Sequence, residues 1–325
     1  MVKKRLDKYL YYNFFKKKIS RNKIQKYIKN GFILLNNKKI KKNKIFNKKD
    51  KINIIKKINF FEKKKTNIFK NKNLNIKIHY ENLNFLIINK EPGLVVHPGN
   101  GYYKNTLINW LKYYFFKKNI INILNYEKYK FGLLHRLDKE TSGLLIIAKN
   151  IFFYKKLKKQ FLKRIIKKKY LALIWGIPNK KKNIIKNNIL RNPKNRIKMT
   201  VLKKQNLKFK KYSKFCITKY KVLKSYKILS LVECNLKTGR THQIRVHFKY
   251  LGHPVFNDKL YGGNKIYNKK YKNLILKLFK ILPRQALHAY YLKFKDPKSN
   301  KKKKFITKLP EDIKNCINLL KKKFN

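Results

Sequence analysis

Acidic residues are scarce in this 325-residue chain, which has 13 Asp and Glu against 88 Lys and Arg. The formal net charge of +75 excludes a strongly basic partner and favours a polyanion such as nucleic acid, bound with a steep dependence on salt. The many Lys, Asn and Ile residues also indicate a genome rich in A and T, which accounts for part of this charge. Because acidic residues are so few, a carboxylate in a loop between two strands would be unusual in this chain and would indicate a specific role.

Cysteine is also rare, since the chain has only Cys216, Cys234 and Cys316, with no short paired spacing. This spacing fits neither a disulfide framework nor a zinc site, and it suits a reducing cytoplasm. No apolar run approaches the roughly 18 residues that a membrane-spanning helix needs. The basic residues at the N-terminus are not followed by the apolar core of an export signal. We therefore expect a cytoplasmic protein that binds no membrane.

The first part of the chain, residues 1–62, predicts a small domain of two helices and a hairpin. Apolar residues recur at helical spacing from Leu6 to Phe14, and Ser20 is a suitable N-cap for a second helix that ends before Gly31. Residues 32–40, with Asn36-Asn37 at the turn, predict the hairpin. Residues 63–75, rich in Lys and Asn, predict a linker to a larger domain over residues 76–325.

The larger domain contains Asp138 in the middle of the segment 132–148, which an apolar run enters and a stronger apolar run leaves. This pattern predicts a strand, a loop and a second strand. A loop aspartate commonly caps a turn through its side chain. Loops on rigid scaffolds also carry catalytic groups, so a chemical role for Asp138 is the alternative interpretation.

A second unusual segment is 237–248, which follows a predicted strand over 229–236 and contains two arginines and two histidines. Elsewhere in this chain, surface loops are filled mainly by Lys and Asn. An arginine beside a buried aspartate keeps the carboxylate ionised, because a nearby opposite charge favours the charged form. The polar stretch 191–199 predicts a basic loop.

The segment Gly132 to Ala148 resembles the catalytic motif of the RluA family of RNA pseudouridine synthases. The similarity continues along the chain at His97-Pro98-Gly99, Lys169 to Ala172, Arg191 to Met199, Lys237 to Phe248 and Arg284 to Ala289. Residues 1–62 resemble the alpha-L RNA-binding domain. These resemblances imply an α+β fold, in which the small N-terminal domain precedes a catalytic domain with a mixed, mainly antiparallel sheet flanked by helices.

The resemblance also implies roles for particular residues. Asp138 corresponds to the family's catalytic aspartate, Tyr170 to the tyrosine that packs against the target base, and Arg245 to the arginine that pairs with the aspartate. RNA contacts are expected at Arg136, Arg240, His242, Arg191, Arg196, Arg21 and Lys26. No metal or other cofactor is expected, because the isomerisation gains no atoms.

The implied function is the conversion of specific uridines to pseudouridine in large-subunit ribosomal RNA, with the helix sixty-nine stem-loop as the expected site. The expected partner is that RNA or the pre-ribosomal large subunit, bound by a monomer. Asp138 would either attack the ribose or abstract a proton from it, and the sequence leaves both routes open. Two alternatives are a sister synthase with other ribosomal RNA sites and a non-catalytic RNA-binding factor in ribosome assembly.

Overall fold

The computed structural model describes residues 4–15, 19–41, 43–47, 49–55, 74–99, 101–120, 127–202 and 204–324. The chain divides into two units, Met1–Asn67 and Ile68–Asn325. The predicted linker over 63–75 lies outside the described residues except for its last two positions.

The first unit contains short strands and two helical segments. Its strands are β1 (Lys4–Arg5), β2 (Ile33–Leu35), β3 (Ile45–Phe46) and β4 (Ile52–Ile54), and its helices are α1 (Leu6–Tyr9), continued by a π-helical turn over Leu10–Phe14, and α2 (Arg21–Lys29). β1 pairs with β3, and β2 pairs with β4, both antiparallel. Leu6, Leu10, Ile24, Ile28 and Ile33 form the centre of its core.

The predicted ends of α2 are confirmed. The Ser20 hydroxyl accepts a hydrogen bond from the Lys23 backbone N–H, and Gly31 has the positive φ of +76° that is typical of a residue just past a helix end. Asn36 and Asn37 form the predicted turn, also with positive φ.

Beyond that turn, a single bridge joins Leu35 to Lys38, and the longer pairing of β2 is with β4 rather than with residues 38–40. The reason is that Ile52 and Ile54 both pack against the core, whereas only Ile40 does so from the predicted second arm. At the end of the first helix, Phe14 is exposed and Phe15 is buried. A π-helical turn contains an extra residue, which moves the apolar face by one position.

The second unit is built on one large sheet. Its strands are β5 (Ile78–Glu81), β6 (Phe85–Lys90), β7 (Ser142–Ala148), β8 (Lys167–Trp175), β9 (Lys182–Arg191), β10 (Met199–Val201), β11 (Lys214–Tyr226), β12 (Leu229–Leu236), β13 (Leu287–Lys295) and β14 (Lys302–Ile306). They are ordered β10-β9-β11-β12-β8-β13-β7-β6-β5, and β14 pairs with β13. β13 and β7 run parallel and the other pairs are antiparallel, so the predicted mixed, mainly antiparallel sheet is confirmed.

Helices flank this sheet. They are α3 (Leu107–Lys117), α4 (Ile151–Leu162), α5 (Gln243–Tyr250), α6 (Lys272–Ile281) and α7 (Glu311–Phe324), with 3₁₀ segments at Glu127–Gly132, Lys204–Tyr212 and Lys269–Tyr271. Within the described part of the chain, none of the helices has both the length and the apolar content to span a membrane.

The central strands are covered on both faces. Successive side chains of a strand point to opposite faces, so Phe85 and Ile87 join one core cluster while Leu86 and Ile88 join the other. β7 is buried along its whole length. Gly143 is required where β7 runs beside β13, because a Cβ atom there would lie 2.3 Å from the Ala289 carbonyl oxygen. The loop that precedes β7 is therefore attached to the most rigid part of the sheet.

The segment that enters this loop is not the predicted strand. Residues Glu127–Gly132 form a 3₁₀ segment, and Leu133 makes only one bridge, to Ile147. Gly132 has a φ of +75°, and a Cβ atom at this position would lie 1.9 Å from the Ala148 carbonyl oxygen. The chain turns at this close approach, so its apolar residues are buried without forming a regular strand.

Candidate active site

Asp138 lies in the loop between this bridge and β7. The turn after it is closed by a 3.1 Å hydrogen bond from the Thr141 backbone N–H to the Asp138 carbonyl oxygen. The two residues between them, Lys139 and Glu140, form the turn itself.

Three side chains from other elements hold the three residues that follow Asp138. Lys90 Nζ donates to the carbonyl of Lys139 at 2.8 Å, and Arg284 Nη1 donates to the carbonyl of Glu140 at 3.0 Å. The Gln285 side-chain amide donates to the Thr141 hydroxyl at 2.9 Å. The backbone beside Asp138 is therefore fixed from two sides.

Two of the residues that hold this loop, Lys90 and Arg284, are buried basic residues. Lys90 also donates to the carbonyls of Glu91 and Leu94, and its burial lowers its pKa to about 7. Arg284 makes a bidentate ion pair with Asp312 on α7, at 2.7 and 2.9 Å. The last helix thus helps to position the Asp138 loop.

Arg245, on α5, lies between two carboxylates. Its Nη1 is 2.9 Å from Asp138 Oδ2, while its Nε and Nη2 contact the two oxygens of Asp258 at 2.6 and 2.9 Å. Burial alone would lower the pKa of Arg245, but the hydrogen bonds to Asp258 and the charges of both carboxylates raise it. The guanidinium group also lies over the Tyr261 ring, 5.0 Å from its centroid. The predicted proximity of Arg245 to Asp138 is therefore present, together with a second carboxylate that fixes the arginine.

The two oxygens of the Asp138 carboxylate have different surroundings. Arg245 Nη1 and His242 Nε2 both approach Oδ2, at 2.9 and 3.8 Å. Among the described residues, Oδ1 has no hydrogen-bond partner, and the side chain is 19% exposed. Oδ1 is consequently the oxygen that is free to meet a substrate.

The cleft in front of Asp138 has an apolar wall and a charged rim. The wall contains Leu137, Tyr170, Leu236, Ile244 and Leu287, and the rim contains Arg136 and Arg240. Tyr170, which is 6% exposed, has its pKa raised by burial and by the charge of Asp138, so its phenol stays neutral. A flat, uncharged ring such as a nucleobase suits this wall, and a phosphate suits the rim.

The other expected RNA contacts are distributed over the molecule. Arg136 and Arg240 are exposed at the cleft, whereas the side chain of His242 is only 15% exposed within it. Arg191 and Arg196 are exposed on the hairpin between β9 and β10, where Arg191 donates to the Arg196 carbonyl.

Two further expected contacts belong to the first unit. Lys26 is exposed on α2. Arg21 is half-buried and makes an ion pair with Asp7 at 2.8 Å. Part of the Arg21 guanidinium is therefore already used inside the protein.

The sequence analysis assigned no role to the residues that support the site, which are Lys90, Asp258, Tyr261, Arg284 and Gln285, although Arg284 and Gln285 lie in a segment that resembles the family. The scarcity of acidic residues was a usable signal for Asp258, which is one of only 13 in the chain. No such signal existed for Lys90, because one lysine among so many basic residues does not stand out. Within the described residues, no group of His, Cys, Asp and Glu has the arrangement of a metal site.

A carboxylate with one free oxygen, facing a tyrosine-lined cleft with a basic rim, is an arrangement that suits an enzyme acting on nucleic acid. Comparison with known proteins specifies the class. The family model described as RNA pseudouridylate synthase matches residues 84–250.

Over 312 residues the chain is 36% identical to an uncharacterized RNA pseudouridine synthase of Chlorobaculum parvum, covering 95% of this chain and 91% of the relative. Over 253 residues it is 40% identical to the ribosomal large subunit pseudouridine synthase D of Buchnera aphidicola, covering 77% and 75%. Among solved structures, human RNA pseudouridylate synthase domain containing 1 is similar, with a TM-score of 0.55 and 27% identity, covering 74% of this chain and 87% of that chain.

The chain therefore belongs to the RNA pseudouridine synthase family, and it is an isomerase that modifies RNA. The predicted family, fold class and enzyme class are confirmed.

Proposed function

We propose that this protein converts uridines of large-subunit ribosomal RNA to pseudouridine, with Asp138 as the catalytic carboxylate and the helix sixty-nine stem-loop as the expected site. The observation that carries this proposal is the Asp138 carboxylate, whose Oδ2 is held by Arg245 while Oδ1 is free. The choice of RNA rests on relatives that are named ribosomal large subunit pseudouridine synthase D. The protein would act as a cytoplasmic monomer on this RNA or on the pre-ribosomal large subunit.

The reaction breaks the bond between ribose C1′ and uracil N1, turns the base and forms a bond from C1′ to C5. The proton on C5 moves to N1, so no atoms are gained. Asp138 Oδ1 starts this sequence, either by attack on the ribose or by removal of a ribose proton. Arg245 donates to Oδ2 and so orients the carboxylate for either route.

The cleft must accept a base that has left the RNA stack, which costs a few kcal/mol. Contact of the base with the Tyr170 ring offsets roughly 1 to 3 kcal/mol of this cost. The apolar side chains around Tyr170 exclude water while the uracil is detached. Arg136 at the rim occupies the place in the stack that the flipped base leaves.

The remaining contacts supply affinity for the RNA backbone. Arg240, Arg191 and Arg196 are exposed and contact phosphates, and residues 1–62, a domain with Arg21 and Lys26 among its contacts, bind a further part of the RNA. Because these contacts are ionic, affinity should fall steeply as salt rises.

The test is a pseudouridine map of large-subunit ribosomal RNA after incubation with the native protein or with the Asp138→Asn variant. Carbodiimide labelling followed by primer extension reports each modified position as a stop. We expect stops in the helix sixty-nine loop with the native protein and none with the variant, while both bind the RNA with similar affinity.

Two results would change the proposal. Stops at other positions would keep the chemistry and assign the protein to a sister specificity. RNA binding with no stop for the native protein would contradict catalysis and leave a role in ribosome assembly.

A further inference from the structure

Two hydrogen bonds and one longer polar contact lead from the β9–β10 hairpin to the Asp138 carboxylate. The backbone N–H of Met199, the first residue of β10, donates to the Tyr261 hydroxyl oxygen at 2.8 Å. The same hydroxyl lies 2.8 Å from His242 Nδ1. His242 Nε2 is 3.8 Å from Asp138 Oδ2.

The partners of the Tyr261 hydroxyl favour one tautomer of His242. The hydroxyl oxygen accepts a hydrogen bond from the Met199 N–H, and among the described residues His242 Nδ1 is the acceptor within reach of the Tyr261 proton. With Nδ1 as an acceptor, the ring proton of the neutral imidazole lies on Nε2, the nitrogen nearest to Asp138. The backbone of His242 has a φ of +55°, and the residue directly precedes α5, so the ring is anchored at the start of that helix.

The charged groups that face His242 are Asp138 and Asp258, which favour its protonation, and Arg245 and Arg136, which oppose it. Burial is the largest effect, and the pKa of His242 lies below its ordinary value. Burial also raises the pKa of the Tyr261 hydroxyl to about 12, so this group keeps its proton. Both residues are thus neutral donors under ordinary conditions.

We propose that His242 and Tyr261 are positioning residues for the reaction, in which Tyr261 sets the His242 tautomer and His242 Nε2–H joins Arg245 in holding Oδ2. This leaves Oδ1 directed to the ribose. The proposal rests on the proposed function. The 3.8 Å separation is longer than a hydrogen bond, and such contacts in enzymes tighten when the substrate is bound.

The first test compares Tyr261→Phe with the native enzyme in single-turnover pseudouridine formation over a range of pH. We expect the rate to fall about tenfold while RNA affinity stays within about twofold, since the loss corresponds to one positioning interaction. Without the Tyr261 donor, the neutral His242 ring can carry its proton on Nδ1 and lose the Nε2–H donor, whereas the imidazolium form keeps it, so the rate loss should be smaller at acid pH. The control is Tyr267→Phe, which removes an exposed hydroxyl that donates only to the Gly262 carbonyl.

A second test uses the side chain of His242 itself. His242→Gln keeps an N–H donor near Asp138, whereas His242→Leu has none, so the glutamine variant should retain more activity than the leucine variant. If Tyr261→Phe unfolds at the assay temperature, the comparison of His242→Gln with His242→Leu tests the proposal instead. Equal rates for these two variants would overturn the proposal.

A third readout does not depend on activity. Nitrogen-15 spectra of histidine-labelled protein, assigned with the His242→Gln variant, should show a protonated Nε2 and an unprotonated Nδ1. A proton on Nδ1 would overturn the proposal even if the native enzyme formed no product. An active native enzyme whose rate and pH profile are unchanged by Tyr261→Phe would overturn it while leaving the proposed function intact.

Discussion

Asp7 in the first unit and Asp138 in the second are both paired with arginine, and they differ in which carboxylate oxygens are left free. In the first unit, the fully buried Asp7 accepts from Arg5 through both oxygens, and its Oδ2 also accepts from Arg21 and Gln25. In the second unit, Asp138 is partly exposed and only its Oδ2 is held. An arginine partner alone therefore does not distinguish the two carboxylates, whereas a free oxygen beside a cleft does, and this difference is the basis for proposing Asp138 as the catalytic residue.

Asp258 extends this comparison within the second unit. Its Oδ2 accepts from Arg245, and its Oδ1 accepts from Arg245 and from the backbone N–H groups of Leu260 and Tyr261. Like Asp7, Asp258 has hydrogen-bond partners on both oxygens. It holds Arg245 in place, and Arg245 in turn contacts Asp138. The site thus contains two of the chain's few acidic residues, one with a structural role and one with a proposed catalytic role.

Because both oxygens of the buried Asp258 are hydrogen-bonded, we expect its substitution to cause the largest loss of stability. Asp258→Asn removes the charge of the fully buried carboxylate that binds two nitrogens of Arg245, whereas the partly exposed Asp138 binds one, and breaking such a buried pair costs about 3 kcal/mol. Urea unfolding followed by fluorescence should show this loss, together with a reduced rate of pseudouridine formation. Unchanged stability would mean that Asp258 does not support the site.

A smaller loss is expected for Asp7→Asn. Arg5 and Arg21 remain partly in water, so the cost should be about 2 kcal/mol, less than for a wholly buried pair. Hydrogen exchange of the α2 amides should become faster, while amides of β7 keep their protection. If the β7 amides lost protection as well, the effect would not be local to the Asp7 cluster.

The smallest effect per residue concerns buried neutral histidines. Burial lowers the pKa of His247 and His288 to about 4, below the ordinary value near 6.5, so the unfolded chain binds more protons between these values. Stability is therefore full above pH 6.5 and falls as the pH drops toward 4; between pH 7 and pH 5 the loss should be about 1 to 2 kcal/mol for each histidine. Unfolding curves at pH 7 and pH 5 measure this.

The matched variant for that experiment is His247→Gln, which can keep a hydrogen bond to the Thr218 hydroxyl. It should lose less stability than the native protein between the two pH values. An equal loss would show that His247 does not titrate in this range.

The sequence predicted those parts of the molecule that depend on local pattern. The cap at Ser20 and the strand over Leu229–Leu236 follow from hydrophobic spacing and capping residues, which act over a few positions. The segment before Asp138 was predicted as a strand and is not one, because the close approach of Gly132 to Ala148 joins positions that are distant in sequence.

The candidate site also has a part that the sequence predicted and a part that it did not. Asp138, Tyr170 and Arg245 were found because their motifs resemble those of a known family, and the structure brings all three to one cleft. The supporting contacts of Lys90 and Arg284 join residues that lie 49 and 144 positions apart. Such contacts leave no periodic signal, and the abundance of basic residues hides them further.

The central claim is that the free oxygen of Asp138 performs the chemistry, whereas Asp7 and Asp258, which have partners on both oxygens, only maintain structure. The most direct measurement compares the native enzyme and Asp138→Asn in single-turnover rate, RNA affinity and thermal unfolding. We predict a rate loss of about a thousandfold or more, with affinity and unfolding temperature nearly unchanged. Turnover by Asp138→Asn at a rate near that of the native enzyme would contradict the claim.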